Sequence, residues 1–141
     1  MKILVPVDGS AYSLKAVENA CNLAKSNPPS EVVLVAVYLS LFDLGSEGHY
    51  VADKLKRQAE NALEMGKAKA QEKGVTPQAL IATGDSVPDE IVEAAKQEKA
   101  DLIVIGSRGL AGKTKYFLGS TASKVVTYSP CSVLVVKLQE D

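Results

Sequence analysis

Short runs of apolar residues alternate with longer stretches of helical periodicity along the whole chain. Ile3 to Val7 is the first apolar run, and Asp8-Gly9-Ser10 after it is a turn signal. Leu14, Val17, Cys21 and Leu23, with Ala16, Ala20 and Ala24 among them, predict an amphipathic helix. Ser10 is its natural N-cap, because a hydroxyl there accepts an N–H of the first turn, and Asn27-Pro28-Pro29 stops it. Val32 to Leu39 is a nearly unbroken β-branched run, as expected of a strand covered on both faces. Ser40 to Tyr50 then predicts a loop. Val51 to Lys73 predicts a long helix with a stripe of Leu55, Ala59, Ala62, Leu63, Met65 and Ala70, and Gly74 is a good C′ residue for it.

The second half repeats the theme. Val75 to Ala82 is a weaker strand that Pro77 assigns to a sheet edge. Ser86, Pro88 and Asp89 mark a helix start, with Pro in the first turn and an acid facing the positive dipole end. Ile91, Val92, Ala94 and Ala95 form the inner face of that helix. Leu102 to Ile105 is a strand, Gly106 to Leu118 a long loop, Ser120 to Tyr128 a helix and Val133 to Lys137 the last strand. Strand–helix pairs repeated in this way, with strands apolar throughout, mean an α/β domain: a parallel sheet with helices on both faces and right-handed crossovers.

Composition narrows the picture. A length of 141 residues suits one domain, residues 1–141, without an internal linker or repeat. Hydrophobic residues at 46% against 23% charged describe a soluble globular chain, not a disordered one. Lys and Arg number 16 against 17 Asp and Glu, so neither a nucleic-acid partner nor an anionic membrane surface is expected. The opening MKILVPVDGS is too short in apolar residues for a signal peptide, and no segment reaches the roughly 18 apolar residues of a membrane helix. A cytoplasmic protein is expected, with Cys21 and Cys131 as two buried thiols.

In an open parallel sheet, ligands bind beyond the carboxyl ends of the strands, where strand order reverses. Two segments there are unusual: Asp8-Gly9-Ser10, and the run from Gly106 to Ser120. Glycines in such a loop let backbone N–H groups converge on an anion, and the helix opening at Gly119-Ser120 adds further donors and a positive dipole end. Gly112-Lys113-Thr114 resembles the tail of a P-loop, but the first glycine of that motif would fall on Ser107, one place after Gly106. A plain glycine-rich connection is the competing account; the length of the loop argues against it. Asp8 serves either as an Asx-turn residue or as a ligand contact, and Ser10 as a helix cap. Lys113 and Lys115 are either solvated surface or phosphate-neutralising charges. One histidine, His49, and two distant cysteines supply neither a catalytic triad nor a zinc site.

The spacing Gly106-x2-Gly109-x9-Gly119-Ser120 resembles the G-2x-G-9x-G-[ST] motif of the ATP-binding universal stress proteins. ILVPVDGS at Ile3 to Ser10, DLIVIGSRGL at Asp101 to Leu110 and SPCSVLVVK at Ser129 to Lys137 are similar to that family's opening and closing portions. The resemblance implies a Rossmann-like sheet of the adenine nucleotide alpha hydrolase type, strand order 3-2-1-4-5, with ATP between the first and fourth strands. It implies that Asp8 contacts the ribose and that Val37 holds the adenine through its backbone. Gly106, Gly109, Gly119 and Ser120 would hold the phosphates, with a backbone N–H from Thr121; Pro6, Val7, Ser107 and Arg108 complete the implied ATP site. The ligand would be ATP, ADP or AMP, with Mg²⁺ or Mn²⁺ shared between Asp8 and the phosphates. A homodimer through Val133 to Val136 is also implied. The arm Lys113 to Phe117 is more basic and aromatic than the family pattern, Thr121 stands where Val is frequent, and Ala122 where a small hydroxyl residue is frequent. No general base or activated nucleophile stands out beside the loop, so a nucleotide-dependent stress-response regulator with at most slow ATP hydrolysis is expected. The alternatives are a small ATP-hydrolysing or phosphotransfer enzyme and a nucleotide-free dimeric interaction module.

Overall fold

Strands and helices alternate in the computed structural model as the hydrophobic pattern requires. The structure describes residues 1–40, 45–110 and 118–138, with backbone alone for 45–49. In chain order the elements are β1 (Lys2–Pro6), α1 (Ala11–Ser26), β2 (Glu31–Leu39), α2 (Gly45–Glu72), β3 (Gln78–Gly84), α3 (Val87–Glu98), β4 (Leu102–Gly106), α4 (Ser120–Tyr128) and β5 (Ser132–Val136). The strands form one parallel sheet in the order β3-β2-β1-β4-β5. This is the open, doubly wound arrangement expected from the sequence.

The period-2 alternation of side chains divides the core into two layers. Ile3, Val5 and Val7 of β1 and its extension, with Val32, Leu34 and Ala36 of β2 and Val104 of β4, pack on Val17, Ala20, Ala62 and Leu63 of α1 and α2. Leu4, Val33, Val35, Ile103 and Ile105 point the other way, onto Ile91, Ala95, Ala122 and Val125 of α3 and α4. Both faces of the central strands are therefore covered, which is why their sequences read as continuous apolar runs.

Two element starts and the burial of one cysteine differ from expectation. Helix α2 begins at Gly45, not Val51. Gly45 and Gly48 read as loop residues, but a glycine costs a helix only about 1 kcal/mol against alanine and keeps its N–H. Strand β3 begins at Gln78 instead of Val75, so Pro77, which has no N–H to donate, stays outside the ladder of this edge strand. Cys131 is half-buried, unlike the fully buried Cys21. The two cysteines pack against opposite faces of the sheet, so they cannot bridge. Burial pushes the Cys21 thiol above its ordinary range, keeping it neutral.

Helix ends follow the sequence closely. The Ser13 N–H donates to Ser10 Oγ at 3.1 Å, capping α1, and the Asp89 N–H donates to Ser86 Oγ, capping α3. Gly74 ends α2 at φ +79°, and the next N–H, of Val75, returns to the Ala70 carbonyl at 2.9 Å. Replacing Ser10 by Ala leaves the Ser13 N–H without that acceptor. We expect Ser10→Ala to lower the unfolding free energy in urea by about 0.5–2 kcal/mol.

Candidate functional site

The first and fourth strands hydrogen-bond side by side and then part. The β1–β4 register holds the pairs Ile3↔Leu102 and Leu4↔Ile103, whereas β1 stays paired with β2 as far as Pro6↔Val35. Pro6 has no N–H to offer, and the Val7 N–H turns to the Val35 carbonyl at 2.8 Å, toward β2. The gap left between the carboxyl ends of β1 and β4 opens into a cleft of about 400 Å³. It lies at the point where strand order reverses, and its size is that of a small-molecule site.

Asp8 spans the mouth of this gap. Its Oδ1 accepts the Ser10 N–H at 2.9 Å, an Asx turn, while Oδ2 accepts the Leu110 N–H at 3.2 Å from the loop after β4. Its own N–H donates to Ser13 Oγ at 3.3 Å. The carboxylate thus ties the entry of α1 to the far side of the cleft.

The glycine loop is built against these groups. A Cβ on Gly109 would stand 2.5 Å from Asp8 Oδ2, and one on Gly106 would stand 2.9 Å from the Tyr12 carbonyl carbon. Neither position has room for a side chain. The chain returns at Gly119, whose N–H donates to the Ser107 carbonyl at 2.8 Å. Ser107 in turn donates its N–H to Val136 of β5 at 2.8 Å. Gly119 is the N-cap of α4, and among the described residues no side chain caps that helix. The α4 N-terminus at Gly119, Ser120 and Thr121 therefore faces the cleft with its positive dipole end and the Ser120 and Thr121 N–H groups uncovered by a capping side chain among the described residues.

Pro6, Val7, Asp8, Val37, Gly106, Arg108, Gly109, Gly119, Ser120 and Thr121 all line the cleft. Ser107 does not; it is buried and bolts the loop to β5. Sequence reasoning missed most of the apolar wall: Val35, Ile105, Val87 and Ile91. The signal was present in the periods, since Val35 lies two residues before Val37 on the same strand face, and Val87 and Ile91 are one helical turn apart. It also missed Ser13, and Tyr12, whose hydroxyl accepts from Arg108 Nη1 at 3.1 Å. Asp8 and Arg108 are the ionisable side chains lining the cleft among the described residues. Among those residues no three His, Cys, Asp or Glu side chains come together to hold a metal, and no helix is long and apolar enough to cross a membrane. Lys113, Lys115 and the Gly112-Lys113-Thr114 tripeptide lie outside the described residues, as does the His49 side chain.

An open parallel sheet with a glycine-built cleft at its switch point places the chain among the doubly wound, Rossmann-like α/β proteins. Within that class it belongs to the universal stress protein family, whose model matches residues 1–137. It is 40% identical over 140 residues to the universal stress protein MJ0531 of Methanocaldococcus jannaschii, covering 96% of this chain and 81% of that one. Universal stress protein YxiE of Bacillus subtilis is 36% identical over 146 residues, with 96% and 98% covered. Among solved structures, hypothetical protein MJ0577 matches with a TM-score of 0.86 at 29% identity, over 99% of this chain and 97% of that one. A universal stress protein in complex with cAMP matches at 0.73 with 28% identity, over 96% of each chain. An Arabidopsis thaliana member of the family with AMP bound matches at 0.73 with 25% identity, over 100% of this chain and 94% of that one.

The contact between Asp8 and the loop is testable without a ligand. Gly109→Ala sets a methyl group against Asp8 Oδ2, and we expect a loss of about 1–3 kcal/mol in urea unfolding. Asp8→Ala strips the Ser10 and Leu110 N–H groups of their acceptor, with an expected loss of similar size, about 1–3 kcal/mol. Removing the carboxylate also vacates the space the methyl needs, so the double variant should cost clearly less than the sum. Additive losses would mean that the two residues do not meet.

Proposed function

We propose that the cleft binds an adenine nucleotide, with ATP as the working ligand and ADP or AMP as its products or substitutes. The observation that carries this reading is the meeting, in one cleft, of a β-branched apolar wall with a rim of glycine backbone and a helix N-terminus that no described side chain caps. A flat apolar base suits Val35, Val37, Val87, Ile91 and Ile105, beside Pro6 and Val7. Asp8 is the ribose partner, because a carboxylate accepts hydroxyl hydrogens. The N–H groups at Gly106, Gly109, Ser120 and Thr121 suit phosphate oxygens, which helix N-termini and glycine turns bind without side chains; Gly119, whose own N–H holds the Ser107 carbonyl, lets the phosphates approach because it has no side chain. The cAMP and AMP complexes of two relatives support an adenine nucleotide as the ligand class.

The residues fit a nucleotide better than a metal centre of their own. Asp8 is the one carboxylate lining the cleft among the described residues, and both its oxygens already accept N–H groups. A Mg²⁺ or Mn²⁺ ion would accordingly arrive on the phosphates, keeping most of its ligands from them and from water. Asp8 and Arg108 provide no positioned base for activating water. We infer a cytoplasmic regulator whose nucleotide occupancy biases partner binding, with hydrolysis slow. The outer edge of β5, where Leu134 is 40% exposed, is the surface for a second copy of the chain.

Protein purified under native conditions should release adenine nucleotide on denaturation, read by mass spectrometry, and Gly119→Val should release none. Retention by that variant would move the cradle elsewhere. Turnover of ATP should stay well below about 1 s⁻¹; ordinary enzymatic turnover would overturn the regulatory reading. Sedimentation should give a dimer that Leu134→Lys shifts toward monomer.

A further inference from the structure

We infer that Tyr12 is a positioning residue that holds Arg108 at the lip of the cleft as the cation for the outer phosphates of the nucleotide. The inference rests on the nucleotide reading above and adds to it a side chain that neither lines the cleft nor belongs to the glycine loop.

Tyr12 is the second residue of α1, immediately after the Asp8 turn. Its backbone is fixed by close packing on β4: a Cβ on Gly106 would lie 2.8 Å from Tyr12 Cβ and 3.0 Å from its carbonyl oxygen. The root of the side chain is therefore anchored across the gap between β1 and β4. From there the ring reaches Arg108 in two ways. Arg108 Nη1 donates to the phenolic oxygen at 3.1 Å, and the guanidinium carbon lies 5.8 Å from the ring centroid. A cation over an aromatic face and a hydrogen bond at its polar tip together restrict a side chain that is otherwise rich in rotamers.

The charge balance gives this restriction a purpose. A nucleoside triphosphate brings several negative charges, and backbone N–H groups alone carry only partial positive charge. Arg108 is the cationic side chain lining the cleft among the described residues, opposed there by Asp8. A guanidinium has five N–H donors in a rigid fork, so one group can bond a tyrosine and a phosphate together. Adenosine has no phosphate for Arg108 to meet, AMP has one and ATP has three. A positioning role for Tyr12 thus predicts a loss that grows with phosphate number, whereas a purely structural role predicts equal losses for all three.

Isothermal titration of the full chain with ATP, AMP and adenosine separates these outcomes. Tyr12→Phe keeps the ring and removes the acceptor. It should weaken ATP about fivefold to tenfold, the effect of one charged hydrogen bond, and change adenosine by less than about twofold. Arg108→Gln should weaken ATP at least as much, and the double variant should be no weaker than Arg108→Gln alone, because Tyr12 acts through Arg108. Equal losses for the three ligands, additive losses in the double variant, or unchanged ATP binding by Tyr12→Phe would each overturn the inference while leaving the nucleotide reading intact. Failure of the unaltered protein to bind any of the three would overturn both.

Discussion

Two adjacent parallel strands that stay hydrogen-bonded to their ends leave no room for anything between them. The site here exists because β1 and β4 separate after Leu4↔Ile103, while β1 remains joined to β2 through Pro6 and Val7. Proline is suited to that divergence, since it removes the N–H that would otherwise be left without a partner on the open side. Everything else at the cleft is arranged around the gap. Asp8 reaches across it to Leu110, Tyr12 presses on Gly106 from one bank, and Ser107 ties the other bank to β5. The strain-free way to bridge two parted strands is thus a set of short polar contacts at their carboxyl ends. The same contacts put polar groups at one rim of a cleft whose wall is apolar.

Much of this was legible in the sequence because it is local. Strand order follows from alternating elements together with the family resemblance, and the caps at Ser10 and Ser86 follow from residue type and position. The glycine spacing located the loop. What escaped is of two kinds. The start of α2 at Gly45 escaped because glycine is a weak signal against helix once a long amphipathic segment follows it. The apolar wall and the Tyr12–Arg108 pair escaped because they are long-range: Arg108 and Leu110 meet α1 and its entry turn across 96 and 102 residues of chain. A hydrophobic period assigns Val87 and Ile91 to an inner face; it does not say that β4 and β1 part in front of them.

The glycines themselves carry a more limited message than their spacing suggests. Gly109 is required by the Asp8 carboxylate and Gly106 by the Tyr12 backbone, both atoms of the protein itself. A chain that never met a nucleotide would still need glycine at those two places. Gly119 is crowded by the protein as well, since a Cβ there would stand 3.0 Å from the Ser107 carbonyl oxygen and 3.3 Å from Arg108 Cα. The other two helices whose N-caps are described carry a serine cap, Ser10 and Ser86, each accepting an N–H of its own first turn. α4 instead begins on Gly119, with no side-chain cap among the described residues. Glycine in place of serine at an N-cap costs only a few tenths of a kcal/mol, so the fold loses little by leaving that end open. What packing leaves unexplained is the combination: a helix start with a positive dipole end, set at the rim of a cleft whose wall is apolar. The case for an anionic ligand therefore rests on the α4 dipole and the apolar wall meeting in one cleft, and not on the glycine spacing alone.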